Sequence, residues 1–220
     1  MTRTITVRGT GHVKLKPDMT VVSLNIIARS REHDNAMQQA AEALAQLREA
    51  VEKAGIDSDS LKTSAFSVQT EYEGVHDEKG MYRNVFSGYI CSHSVSLELD
   101  FDAEQLSRVL SAIASSVAEP ELHIRFTVRD RNSVSRSLLE SAAANAREKA
   151  EILAAASGVE LGELMTIEYG FGELEPVSPT NFMMAKRCMA DGAVPMSAEM
   201  GIAPEDIELS DSASFVWAIE

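Results

Sequence analysis

Between Ile5 and Ile27 the chain reads as two apolar runs, Ile5-Thr6-Val7-Arg8 and Val21-Val22-Ser23-Leu24-Asn25-Ile26-Ile27, parted by Gly9-Thr10-Gly11 and then Lys16-Pro17-Asp18. Period-two alternation places successive side chains on opposite faces of a strand, so the pattern commits the chain to a sheet before any helix appears. Glycine reaches φ > 0 without steric cost and proline fixes φ. The two glycines are therefore expected to bend the backbone between strands, and Pro17 to mark a strand start or edge.

Downstream, Met37, Ala40, Ala41, Leu44, Leu47, Val51 and Ala54 recur at helical spacing and predict a helix over 33–54, closed by Gly55. Thr63 to Tyr72 and Val85 to Phe101 read as strands that pair antiparallel across a glycine-rich, charged loop. In the second strand Val85, Tyr89, Cys91, His93, Val95, Leu97, Leu99 and Phe101 share the core face. A helix follows over about 103–117 with Asp102 as N-cap, then a strand at Leu122 to Val128. Asp130 opens a long alanine-striped helix ended by Gly158. Leu161 to Phe171 reads as a strand, and Ile207 to Ile219 closes the chain as an alternating core strand, broken in pattern by Asp211.

Hairpins mixed with strand-helix-strand units predict an α+β fold with a largely antiparallel sheet and helices packed on one face. The organisation is one domain over 1–220, or two related halves over about 1–101 and 102–220. Residues 172–204 stand apart as a long insertion, with Pro176, Pro179, Pro195 and Pro204 and five methionines. A connection of that length is commonly functional or disordered.

Composition narrows the partners. Thirty-four Asp and Glu against 20 Lys and Arg give a formal net charge of −14, which repels nucleic acid and anionic lipid. No apolar run approaches the roughly 18 residues of a membrane span. The amino terminus enters strand pattern directly, without the apolar stretch of a signal peptide, so as written the chain is expected in the cytoplasm, or in the periplasm or outside the cell if a leader has been removed. Two cysteines, Cys91 and Cys188, fit a reducing compartment and leave a single bridge as the alternative.

Motifs that carry chemistry are weak. Gly9-Thr10-Gly11 lacks a third glycine and is followed by a strand, so it is not a dinucleotide fingerprint. Cys91 and His93 share one strand face and could form a nucleophile pair or part of a metal site, but the apolar neighbours favour a buried thiol and a hydrogen-bonded imidazole. His76-Asp77-Glu78 and the pair Glu71 and Glu73 read as solvated polar residues beside a loop. No cofactor is expected.

Several segments together resemble the SIMPL family, named for a signalling molecule associated with a pelle-like kinase. They are Ile5-Thr6-Val7-Arg8-Gly9-Thr10-Gly11 with Lys16-Pro17-Asp18, Gly55-Ile56 with Leu61-Lys62-Thr63 and Tyr72, Gly88-Tyr89, the alanine-rich run to Gly158-Val159-Glu160-Leu161-Gly162, and the closing strand. The resemblance implies an α+β fold of strand-helix-strand units, a tendency to self-assemble, bacterial members often placed in the envelope, and no established enzymatic activity or cofactor. It transfers no catalytic residue. The expected role is a non-enzymatic interaction or assembly protein forming a homo-oligomer, with a protein partner contacted by the insertion through Phe182, Met183, Met184, Lys186, Arg187 and Met189. The alternative is an enzyme or a small-ligand or metal binder with its site near Cys91 and His93.

Overall fold

The computed structural model describes residues 3–76, 81–116, 118, 120–170, 174–184 and 202–220. Its strands are β1 (Arg3–Leu15), β2 (Met19–Ser30), β3 (Leu61–His76), β4 (Tyr82–Asp100), β5 (Glu121–Thr127), β6 (Leu161–Glu168), β7 (Phe182–Met184) and β8 (Ile207–Ile219). Three helices, α1 (His33–Lys53), α2 (Ala103–Ala114) and α3 (Arg131–Ser157), complete the α+β fold. The strands form two sheets, ordered β1-β8-β6 and β3-β4-β2-β5-β7, and every recorded pairing is antiparallel. The chain divides into two compact units, one formed by 1–18, 126–179 and 204–220, the other by 19–125 and 180–203.

In the first unit the glycines behave differently from the expectation. Gly9 and Gly11 do not turn the chain but lie inside β1, which runs unbroken and pairs with β8 from Arg3↔Ile219 to Leu15↔Ile207. They are glycines because α3 lies directly on them. A Cβ at Gly9 would meet the Ala142 carbonyl oxygen and the Ala146 side chain, and one at Gly11 would meet the Leu138 carbonyl oxygen and the Ala142 nitrogen. Ala142, Ala146 and Ala150 keep the helix thin on the same side.

Close approach lets α3 finish the free edge of β1. Thr10 N donates to Asn145 Oδ1 at 3.0 Å, His12 N donates to Ser141 Oγ at 3.3 Å, and Lys149 Nζ donates to Arg8 O at 3.2 Å. Four helical residues advance about 6 Å and two strand residues about 6.6 Å, so one side chain per turn meets every second strand residue. The core beside this seam joins Val7, Ala146, Ala150, Ala213, Phe215 and Trp217. Trp217 is only 7% exposed and stacks on Phe215 with ring centroids 5.6 Å apart, as the alternating last strand required. Asp211, the exception in that alternation, accepts from Tyr169 Oη and from Ser212 N, each at 2.7 Å.

The Lys16-Pro17-Asp18 segment also finds its use here. Asp18 N donates to Thr127 O at 3.1 Å, while its carboxylate accepts from Arg129 N at 2.8 Å. Asp130 then caps α3 by accepting from Ser133 N, and Gly158 ends the helix at φ 70°, where a side chain would be strained.

In the second unit β2 and β4 pair from Met19↔Asp100 to Ser30↔Tyr89. Val22, Leu24, Ile26, Cys91, Val95 and Leu97 are buried, and α1 packs over these strands with α2 against α1. Asp102 caps α2 by accepting from Gln105 N at 2.7 Å. That helix ends at Ala114, earlier than the periodicity predicts, and β6 stops at Glu168 rather than at Phe171. Part of the insertion is structured: in the first unit Ser178 N donates to Phe126 O at 2.8 Å and Val177 bridges Thr127, and in the second Phe182–Met184 forms β7 against β5.

Candidate functional site

β3 and β4 form a hairpin much longer than the helix that covers it. α1 begins at His33, beside Tyr89, and from there to the tip the two strands have no cover among the described residues. A bulge shifts the register between Glu71 and Tyr72, so Tyr72 pairs with Phe86 and His76 with Tyr82. The sequence reading set Val85 on the core face of β4. The bulge replaces it with Phe86, because one extra residue in a strand flips every side chain beyond it. Gly88 sits at this irregularity, and a Cβ there would fall 2.6 Å from Ser30 O.

The result is an aromatic stripe that prolongs the buried face of the sheet into solvent. His33 meets Tyr89 edge-on at 5.4 Å, Tyr89 meets Phe86 at 5.3 Å, Phe86 meets Tyr72 at 6.0 Å, and His76 meets Tyr82 at 5.7 Å. These T-shaped contacts hold the rings in fixed orientations, yet Tyr82 remains 65% exposed and Tyr72 58%. Val75, Met81 and Val85 add exposed apolar side chains on the same hairpin. Covering about half of Tyr72, Phe86 and Tyr82 would remove roughly 300 Å² from water, on the order of 7 kcal/mol gross per hairpin. Two hairpins doing so together reach the scale of the roughly 4 to 15 kcal/mol that association costs in lost freedom.

The cysteine and histidine candidates fall on the shared face assigned to them. Cys91 is a fully buried free thiol in a cluster with Ala28, Ala36 and Ala40, and burial pushes its pKa up, away from the thiolate. His93 Nε2 pairs with Thr63 Oγ1 at 2.9 Å, and its ring meets Phe66 edge-on at 5.2 Å. Burial, and then the Arg48 guanidinium, hold its pKa below 6.5. The pair is thus a protonated thiol and a satisfied imidazole, poorly suited to nucleophilic attack. No cluster of three metal-ligating side chains occurs among the described residues.

Of the insertion residues proposed for partner contact, Phe182 and Met183 lie on β7 opposite Ile124 and His123, and Met183 is exposed. Met184 is placed by its backbone opposite Leu122. Lys186, Arg187, Met189, Cys188 and the loop residues Asp77 and Glu78 lie outside the described residues. The sequence reading missed the aromatic stripe. Its signal was present in Tyr72, Tyr82 and Phe86, but only the bulge sets Phe86 beside Tyr72 and Tyr89.

The fold therefore defines an α+β protein of two antiparallel-sheet units, with a strongly apolar exposed hairpin on one of them. The chain belongs to the SIMPL family, whose description is "Protein of unknown function (DUF541)" and whose profile matches residues 5–217. It is also similar to the 26 kDa periplasmic immunogenic proteins of Brucella melitensis and Brucella abortus. Each is 27% identical over 203 residues, covering 88% of this chain and 78% of the relative.

Proposed function

We propose that this protein is a non-enzymatic assembly protein of the bacterial periplasm, which associates with further copies of itself through the aromatic face of the β3–β4 hairpin. The observation that carries the reading is the stripe of Tyr72, Phe86 and Tyr82, which continues the sheet's apolar face past the helix that covers it. An isologous contact sets the same patch of two protomers against each other, so one apolar stripe suffices for both sides. Periplasmic placement rests on the Brucella relatives, which are named as periplasmic proteins, and no helix among the described residues is long and apolar enough to cross a membrane.

The charge of −14 opposes association over most of the surface, so screening by salt should strengthen it. Light scattering at micromolar protein in low and high salt gives the mass directly. Oligomers are expected, growing with salt, and a Tyr72→Ser, Phe86→Ser, Tyr82→Ser variant is expected to be monomeric with an unchanged melting temperature. A monomeric parent in both buffers would overturn the assembly reading.

A further inference from the structure

The face of the five-stranded sheet opposite Cys91 and His93 carries short polar side chains where a solvated face usually carries long charged ones. Ser23 and Asn25 stand on β2, Ser94 on β4, Ser64 at a bulge of β3, and Glu121 and His123 on β5. Because serine and asparagine are short, the surface sinks between them into a depression of about 430 Å³, whose lining also includes Leu24, Val95 and Leu122, so that most of its surface is carbon with a few polar groups set into it. That lies within the roughly 300 to 1,000 Å³ of small-molecule sites.

Its polar groups are held in place before any ligand arrives. Ser94 Oγ donates to Asn25 Oδ1 at 3.1 Å, and Asn25 Nδ2 donates to Glu121 Oε2 at 3.4 Å. The chain of donors runs one way, from β4 across β2 to β5, and ends on a carboxylate. It fixes the Asn25 amide and leaves one amide hydrogen and the second Glu121 oxygen open. His123 Nε2 pairs with Asn181 Oδ1 at 2.8 Å. That oxygen can only accept, so Nε2 donates to it and the other ring nitrogen, Nδ1, has no part in this bond. The Ser23 and Ser64 hydroxyls have no partner among the described residues.

We propose that this depression binds a neutral polyhydroxylated molecule of mono- to disaccharide size. The row offers an amide hydrogen on Asn25, a carboxylate oxygen on Glu121 and the Ser23 and Ser64 hydroxyls beside a carbon surface, which suits a sugar, whose hydroxyls both give and take hydrogen bonds and whose C–H faces are apolar. Glu121 and Asn25, side by side, present an acceptor and a donor to a vicinal pair of hydroxyls. Met183, 73% exposed at the rim, offers an apolar wall to the C–H face of a ring. An anion is disfavoured by the carboxylate and by the net charge of −14. A simple cation would engage only the exposed Glu121 and leave the hydroxyl row unused.

The test is amide chemical-shift mapping of the intact isotope-labelled chain, titrated separately with maltose, with N,N′-diacetylchitobiose and with spermidine. Saturable shifts with at least one sugar are expected, clustered at Ser23, Asn25, Ser94, Glu121 and His123. Glu121→Gln keeps the shape and removes the charged acceptor, and is expected to weaken that binding about tenfold. Ser94→Leu fills the floor and is expected to abolish it. Glu121 is exposed, so its variant reports on binding even if Ser94→Leu perturbs the fold. The proposal is overturned if neither sugar saturates by about 50 mM, if the shifts cluster elsewhere, or if spermidine alone moves these residues.

Discussion

Along β1, the outward backbone groups of Arg8, Thr10 and His12 are taken by Lys149, Asn145 and Ser141 of α3. Along the distal half of β3 and β4, Tyr72, Phe86 and Tyr82 stand in water. Both regions are long antiparallel ladders, and what separates them is the element laid against them. Unpaired edges and apolar faces are templates for association, and proteins blunt them by covering or charging them. The first unit has covered β1 at the level of single hydrogen bonds. The hairpin keeps its apolar face uncovered among the described residues, which is why it is the part of the molecule proposed to contact other copies. β6 lies between these extremes: Leu164, Met165 and Ile167 are exposed on it, but Glu163 and Glu168 charge the same strand.

Four measurements break or sharpen this contrast. Trp217→Ala should be the most damaging, at about 3 to 5 kcal/mol, because the ring is buried against Phe215 and the α3 alanines. An unchanged melting temperature would show that the covered unit is not what holds the protein together. Gly11→Val should cost about 3 kcal/mol, since its Cβ runs into helix backbone, which yields less readily than a side chain. Denaturant unfolding that shows parental stability would mean that α3 does not sit tightly on β1.

Asn145→Ala removes the acceptor for Thr10 N and should cost about 1 kcal/mol. Its sharper readout is hydrogen exchange. The Thr10 amide is expected to lose protection while amides bonded to β8 keep theirs, and equal protection in both proteins would show that the edge is not closed by this side chain.

The smallest effect concerns His93. Its folded pKa lies below 6.5, so protonation favours the unfolded chain. The stabilising contribution is therefore complete above about pH 6.5 and falls away as pH drops through the folded value. The melting temperature of His93→Gln should accordingly decline less than that of the parent between about pH 7.5 and 5. Parallel declines would show that His93 does not titrate with unfolding.

Much of this was legible in the sequence, because local rules act on neighbours in the chain. Asp102 and Asp130 cap helices through groups three residues away, Gly158 takes the left-handed conformation that ends α3, and the alternation to Ile219 marks a core strand. The same rules fixed the antiparallel pairing of β3 with β4. They misassigned Gly9 and Gly11, whose reason lies in Leu138, Ala142 and Ala146, more than 120 residues away along the chain. They also misplaced Val85, since a one-residue bulge inverts alternation, sets Phe86 on that face instead, and leaves no mark in composition. Nor could periodicity bring Ser94, Asn25 and Glu121 into one row, for their adjacency comes from strand order in the sheet. Sequence by itself determined where the three helices and most of the strands lie and how two of the helices are capped, through steric and hydrogen-bonding preferences a few residues long, while the ends of α2 and β6 fell short of the periodicity. Tertiary structure alone decided which faces are covered and which stay open, because that depends on elements brought together from distant parts of the chain.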